Sequence, residues 1–119
     1  MKKTKVLQFI CSTGFYGAER WVLALSKNLD KERFESELVV TIEGDAGEPE
    51  IVQQFEQNCG ISYQLPMKHK FDLSVVSKLV DLIKLNGVDV IHTHGYKSDI
   101  LGLLAARKSG IKVVMTPHG

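Results

Sequence analysis

Cysteine is scarce: Cys11 and Cys59 are the only two in 119 residues. That excludes the disulfide framework on which small secreted domains depend. No metal-ligand spacing links the pair. An excess of one charge is missing too, since 15 Lys and Arg face 14 Asp and Glu, a net +1. No global field therefore points to nucleic acid. No apolar run approaches the ~20 residues that span a bilayer. The basic opening Met1-Lys2-Lys3-Thr4-Lys5 has the look of a signal peptide. The apolar run Val6–Cys11 behind it, however, is too short and has no small-residue cleavage site. These absences leave a reduced, cytoplasmic protein of one domain at most, since a domain averages ~150 residues. A chain of this size buries roughly 65% of its unfolded surface, enough for a core without staples.

What is present is a repeated grammar. Asn58-Cys59-Gly60-Ile61, Asn86-Gly87-Val88-Asp89-Val90-Ile91 and Ser109-Gly110-Ile111-Lys112-Val113 each set a Gly between an amphipathic stretch and a β-branched run. Gly there suits the left-handed residue that ends a helix, and the runs after it read as strands. Helix, Gly, strand, three times over, predicts an α/β fold with a parallel sheet of about five strands between helical layers. The strands fall at Lys5–Cys11, Glu35–Ile42, Ile61–Leu65, Val88–His92 and Lys112–Thr116. The helices fall at Gly17–Leu29, Glu48–Asn58, Leu73–Asn86 and Ser98–Ser109. Trp21, Val22, Leu25 and Leu29 form the inner side of the first helix, and Leu73, Val76, Val80 and Ile83 that of the third. Pro49 sits in the first turn of the second helix, and Asp72 caps the third. The fourth is apolar on most sides, which predicts burial against both sheet and neighbour.

Right-handed crossovers place every strand-to-helix turn on one edge of such a sheet, and ligands sit there near the reversal of strand order. Residues after strands one, four and five are therefore the informative ones. After the first come Gly14, Tyr16 and Gly17, leading into a helix. Their backbone suits either an anion at the helix start or a bare tight turn. Glu19 fits the helix dipole but repels a phosphate unless it points away. Arg20 reads as a surface charge and Trp21 as a packing anchor. After the fourth come His92-Thr93-His94-Gly95-Tyr96-Lys97. Two histidines two apart share one side of a strand, but a third metal ligand is not evident, so no metal is expected. His92 reads as a buried histidine bonded to backbone, and His94 as lying past the strand end, facing the crevice. Ser98 or Asp99 caps the fourth helix. After the fifth, Thr116-Pro117-His118-Gly119 presents an imidazole that titrates near neutrality, beside His94 if the two strands pair. Lys68-His69-Lys70 beside Phe71 reads as a solvated basic run, with contact to an anionic membrane surface as the alternative.

Three of these segments resemble Glycosyltransferase Family 4. Gly14-Phe15-Tyr16-Gly17-Ala18-Glu19-Arg20 looks like its Gly-Gly-Ala-Glu-Arg loop. Val90-Ile91-His92-Thr93-His94-Gly95 resembles its Val-Val-His-x-His segment, and Thr116-Pro117-His118-Gly119 its Thr-x-His-Gly strand end. Order and spacing agree along the whole chain. The resemblance implies a GT-B fold of two Rossmann-like domains, and retaining, metal-independent sugar transfer without a cofactor. The donor is a nucleotide-sugar and the acceptor a glycan or lipid, as in polysaccharide or lipopolysaccharide biosynthesis. Carried over by position, His118 is the catalytic residue. Gly14, Tyr16 and Gly17 form the donor-phosphate loop, and His94, Tyr96 and Lys97 line the acceptor side. Tyr16 stands where the family has Gly. Residues 1–119 are then expected to be an incomplete N-terminal, acceptor-side domain, inactive without a C-terminal donor-binding domain. Self-association through the uncovered fifth strand, and peripheral contact with the inner face of a membrane, are further expectations.

Two readings compete. A flavodoxin-like FMN-binding module fits the size and strand count, although Phe15-Tyr16-Gly17 breaks its phosphate loop. A non-catalytic α/β interaction domain is the other. A phospho-receiver domain is excluded, because Ser12-Thr13 and Pro66-Met67 stand where it needs acids.

Overall fold

The computed structural model of the chain describes residues 2–11, 16–44 and 47–116. Strands and helices alternate: β1 (Thr4–Ile10), α1 (Gly17–Asn28), β2 (Phe34–Glu43), α2 (Glu50–Asn58), β3 (Ser62–Met67), α3 (Leu73–Asn86), β4 (Val90–His94), α4 (Tyr96–Ser109) and β5 (Lys112–Thr116). All five strands are parallel, in the order β3-β2-β1-β4-β5. That order decides against the flavodoxin-like reading, whose sheet runs 2-1-3-4-5. Here β1 lies between β2 and β4 and the order reverses at β1, which matches five strands of the six-stranded Rossmann order 3-2-1-4-5-6.

Alternation along the strands divides the core in two. Leu7, Phe9, Val39 and Leu65 face α3 and α4, meeting Val75, Leu79, Ile83, Leu101 and Ala105. Ile10, Leu38 and Val40 face α1 and α2, meeting Val22, Leu23, Ile51 and Phe55. Three layers result, as expected of a parallel sheet that cannot leave either face to water. Gly87 and Gly110 end α3 and α4 in the left-handed region, at φ 64° and 71°. Behind them the N–H groups of Val88 and Ile111 donate to Ile83 O and Ala106 O. The third member of the pattern differs. Cys59 caps α2, and Gly60 takes φ 151° instead of a helical left-handed turn.

Several boundaries and faces shift from the sequence expectation. α1 buries Glu19, Val22, Leu23 and Ser26, while Trp21 is 46% exposed and lies outside this buried stripe. The i, i+3, i+4, i+7 stripe begins at Glu19, a position that a purely apolar periodicity passes over. α3 buries Val75, Val76, Leu79 and Ile83, and Leu73 at its start is exposed. α2 begins at Glu50, with Pro49 as its N-cap residue. α4 keeps Ile100 and Leu104 partly exposed, so its burial is one-sided after all. β4 runs two residues further than expected, to His94, and α4 begins two residues earlier, at Tyr96. Gly95 at φ 93° makes the turn between them in one residue.

Beneath the sheet a polar cluster joins three segments. Glu37 on β2 is buried; its carboxylate pairs with Lys5 Nζ at 3.5 Å and accepts from the Tyr63 hydroxyl at 3.0 Å. Lys5 Nζ also donates to Asn86 O, which ties β1 to the end of α3. Burial, and then the bond to Glu37, push the Tyr63 hydroxyl up to about 12.

Candidate functional site

Helices α1 and α4 leave the carboxyl edge of β1 and β4 toward opposite faces, which opens a crevice between these strands at the reversal of order. Its walls are built by bonds that tie strand ends to helix starts. The Cys11 N–H, just past β1, donates to Ser98 Oγ at 2.8 Å. The Thr93 hydroxyl donates to Asp99 Oδ1 at 2.6 Å. Ser98 and Asp99 were expected to cap α4. The helix starts earlier, so they lie in its first turn and act as struts to the sheet, with Gly95 at the cap position. Burial pushes the Cys11 thiol up, which keeps it protonated and makes it packing material.

The histidines exchange the places expected of them. His94 is the last residue of β4 and only 2% exposed. Its Nε2 lies 2.7 Å from Gln8 Oε1. An amide oxygen only accepts, so His94 Nε2–H donates to it. The ring therefore sits beneath the edge, not past the strand end. His92 is only half-buried, and its Nε2 stands 2.6 Å from Thr116 Oγ1 on the neighbouring strand. The two rings lie 4.2 Å apart. Register explains the grouping: Gln8 pairs with His92, and His94 with Thr116, so all four share one face across β1, β4 and β5. Gln8 was legible as the one amide in an apolar strand, but nothing local tied it to a histidine 86 positions away.

On the outer rim, Tyr16 is the N-cap residue of α1 and largely exposed, with Gly17 exposed beside it. The Tyr16 N–H donates to Glu19 Oε1 at 3.0 Å. Glu19 is thus buried and turned to its own helix start, where it satisfies a free N–H. Tyr96 is 58% exposed and meets the edge of Phe71 at 5.7 Å between ring centres. Lys97 pairs with Glu43, the last residue of β2, at 3.3 Å. Gly14 and His118 lie outside the described residues. Among the described residues no group of three or more His, Cys, Asp or Glu is placed to hold a metal ion, and no helix is long and apolar enough to cross a membrane.

The loop between β3 and α3 reaches the same edge. Asp72 accepts from Lys68 N–H, Ser74 N–H and the Ser74 hydroxyl. The Lys68 N–H bond first, and then those from Ser74, hold its carboxyl down at about 2. Asp72 is the N-cap expected of it. Sequence reasoning missed the other outcome, which is that Phe71 and Lys70 are brought against Tyr96.

A parallel sheet in this order, with a switch-point crevice rimmed by these motif residues, defines a Rossmann-like unit of the GT-B kind. The profile of Glycosyltransferase Family 4 matches residues 15–119, and the chain belongs to that family. A glycosyltransferase from Rickettsia africae superposes with a TM-score of 0.71 at 18% identity, over 97% of this chain and 30% of that one. MurG of Acinetobacter baumannii superposes with a TM-score of 0.72 at 22% identity, over 96% and 35%. The Escherichia coli UDP-Gal:alpha-D-GlcNAc-diphosphoundecaprenol alpha-1,3-galactosyltransferase is 43% identical over 49 residues, 40% of this chain and 13% of that enzyme. The chain thus spans about a third or less of each of these proteins.

Proposed function

We propose that this chain is the acceptor-side unit of a retaining glycosyltransferase that moves a sugar from a nucleotide-sugar to a glycan or lipid acceptor. The observation that carries the reading is the family match over residues 15–119, supported by a β1/β4 switch point whose edge carries His94, Tyr96 and Lys97. The Escherichia coli relative's name joins a UDP-sugar donor to a diphosphoundecaprenol-linked acceptor, which supports that class of substrates here.

In this reading the bond from the sugar's anomeric carbon to the donor phosphate breaks, and a bond to the acceptor oxygen forms. The acceptor's proton leaves on the diphosphate. His118 contacts the sugar and the acceptor hydroxyl, where an imidazole can accept or donate a hydrogen bond. Gly14, Tyr16 and Gly17 approach the diphosphate with backbone N–H groups. Tyr96 offers an aromatic face to the acceptor, and Lys97 offers a cation once it leaves Glu43. His94 acts from beneath, bracing the end of β4 through Gln8. No metal or cofactor is required. A second domain supplies the nucleotide pocket and the cationic clamp on the diphosphate, so this unit alone is inactive. The test supplies nucleotide-sugars and polyprenyl-diphosphate acceptors, with products read by mass spectrometry. No transfer is expected from the chain alone, and transfer is expected when a second domain follows it. Turnover by the chain alone contradicts the dependence on that domain, and no turnover by the longer protein contradicts the function.

A further inference from the structure

Gln8 breaks the pattern of β1. It is fully buried in a strand that is otherwise apolar from Val6 to Ile10, and its Nε2 has no partner among the described residues. An unpaired buried amide N–H destabilises a fold, and a residue that breaks the local pattern at such a cost points to function. The other end of the amide is in use, with Oε1 2.7 Å from His94 Nε2. From there contacts run on across the sheet. The His94 ring centre lies 4.2 Å from that of His92, and His92 Nε2 lies 2.6 Å from Thr116 Oγ1. Both hydrogen bonds take the same diagonal step. Gln8 pairs with His92 in the ladder yet bonds to His94, and His92 pairs with Val114 yet bonds to Thr116. Each side chain thus leans one step toward the carboxyl edge, where the crevice lies.

Strand order gives this row of contacts a task. β5 is at the end of the sheet, with β4 its one neighbour among the described residues, and His94–Thr116 is the last pair of that ladder. Backbone pairing therefore holds the end of β5 from one side, and the His92–Thr116 bond ties its last residue by a side chain. His118 follows two residues later in the sequence. We infer that Gln8 and His92 are positioning residues for His118. Gln8 fixes the His94 ring, that ring fixes its neighbour His92, and His92 holds Thr116 and the backbone that leads to His118. The inference rests on the proposed role of His118 in sugar transfer. It adds the residues, from two other strands, that set its place.

Two measurements test it. The first is nucleotide-sugar turnover by the chain joined to a donor-binding second domain. A misplacement of about 1 Å at a reacting group costs about 100-fold, and losing one tie of several is expected to cost about 10-fold. Thr116→Val keeps the branched shape without the hydroxyl, so it lowers kcat by that amount and leaves KM for the donor as it was. Thr116→Ser keeps the hydroxyl and restores most of the rate. Gln8→Leu lowers kcat likewise. Thr116 is only partly buried, so the Thr116→Val protein folds whether or not Gln8→Leu does, and circular dichroism checks both. The second measurement is NMR of the 119-residue chain with its histidine rings labelled. Thr116→Val and Gln8→Leu each shift the His118 ring resonances, and Lys84→Gln, at the far end of α3, leaves them in place. Wild-type kcat in Thr116→Val, a change confined to KM, or equal damage from Thr116→Ser overturns the inference. So do His118 resonances that ignore Thr116→Val. If the wild-type longer protein turns nothing over, the sugar-transfer reading fails, and the ring resonances still decide whether Gln8 and Thr116 act on His118.

Discussion

Gly102, in the middle of α4, is a position where intuition and the structure disagree. Helix propensity alone makes Gly102→Ala stabilising by about 1 kcal/mol. The packing says otherwise. A Cβ at Gly102 lands on Thr93 Cγ2 more closely than real Cβ contacts allow, and it comes 3.4 Å from Phe9 Cδ2 and 3.6 Å from Ile91 Cδ1. Phe9 and Ile91 are fully buried and cannot retreat. Thr93 can yield only by rotating, and rotation gives up its hydroxyl bond to Asp99. Overpacking a core costs about 1–3 kcal/mol, and a hydrogen bond to a charged group is worth about 1.5–3 kcal/mol. Set against the propensity gain of about 1 kcal/mol, the expected net loss is about 1.5–5 kcal/mol. Thermal unfolding by circular dichroism reads this as a midpoint about 6–20 °C lower. Adding Thr93→Ser removes the offending methyl while keeping the hydroxyl, and it restores much of the loss. Gly17→Ala, where nothing among the described residues lies within 4 Å of the added carbon, shifts the midpoint little. A Gly102→Ala protein as stable as wild type would refute the close approach of α4 to β4 and β1.

The polar cluster under the sheet makes a second prediction. Lys5→Met strands the buried Glu37 carboxylate with one hydroxyl partner, and it costs about 1–3 kcal/mol because breaking a buried pair is expensive and Lys5 is only partly buried. Adding Glu37→Gln recovers part of that loss in a double-mutant cycle. Asp72 sets part of the acid limb. Its folded pKa lies below the unfolded value, so its contribution is complete above about pH 4 and is lost as pH falls toward about 2. Asp72→Asn therefore flattens stability against pH in that window and nowhere above it. Cys11, whose thiol is pushed up by burial, reacts with a maleimide far more slowly than a free thiol near neutral pH. Its labelling rate rises on unfolding.

The fold was legible because local chemistry repeats. Gly87 and Gly110 close helices where the motif grammar put them, and five short apolar runs became five strands. Strand order was not legible, because the pairing of β1 with β4 joins residues about 84 positions apart and no local signal encodes it. Faces were misread where a polar residue belongs to the buried stripe. Glu19 is inside because it satisfies the Tyr16 N–H, and counting apolar residues instead put Trp21 there. His94 was placed outside because a histidine near a strand end looks solvent-facing. Gln8, distant in sequence, is what lets it be buried. The rim residues Tyr16, Tyr96 and Lys97 were found from motifs. Glu43, which holds Lys97, and Phe71, which holds Tyr96, come from other βα units and could be found only in three dimensions.

The proposed sugar transfer assigns His118 to the reacting centre. The most direct measurement is nucleotide-sugar turnover by the chain joined to a donor-binding second domain, wild type against His118→Ala, with both proteins shown to be equally folded. Transfer by the wild type is expected, with a loss of about 100-fold or more in the variant, the scale of a positioned acid–base group. Equal turnover by the two proteins would contradict that assignment.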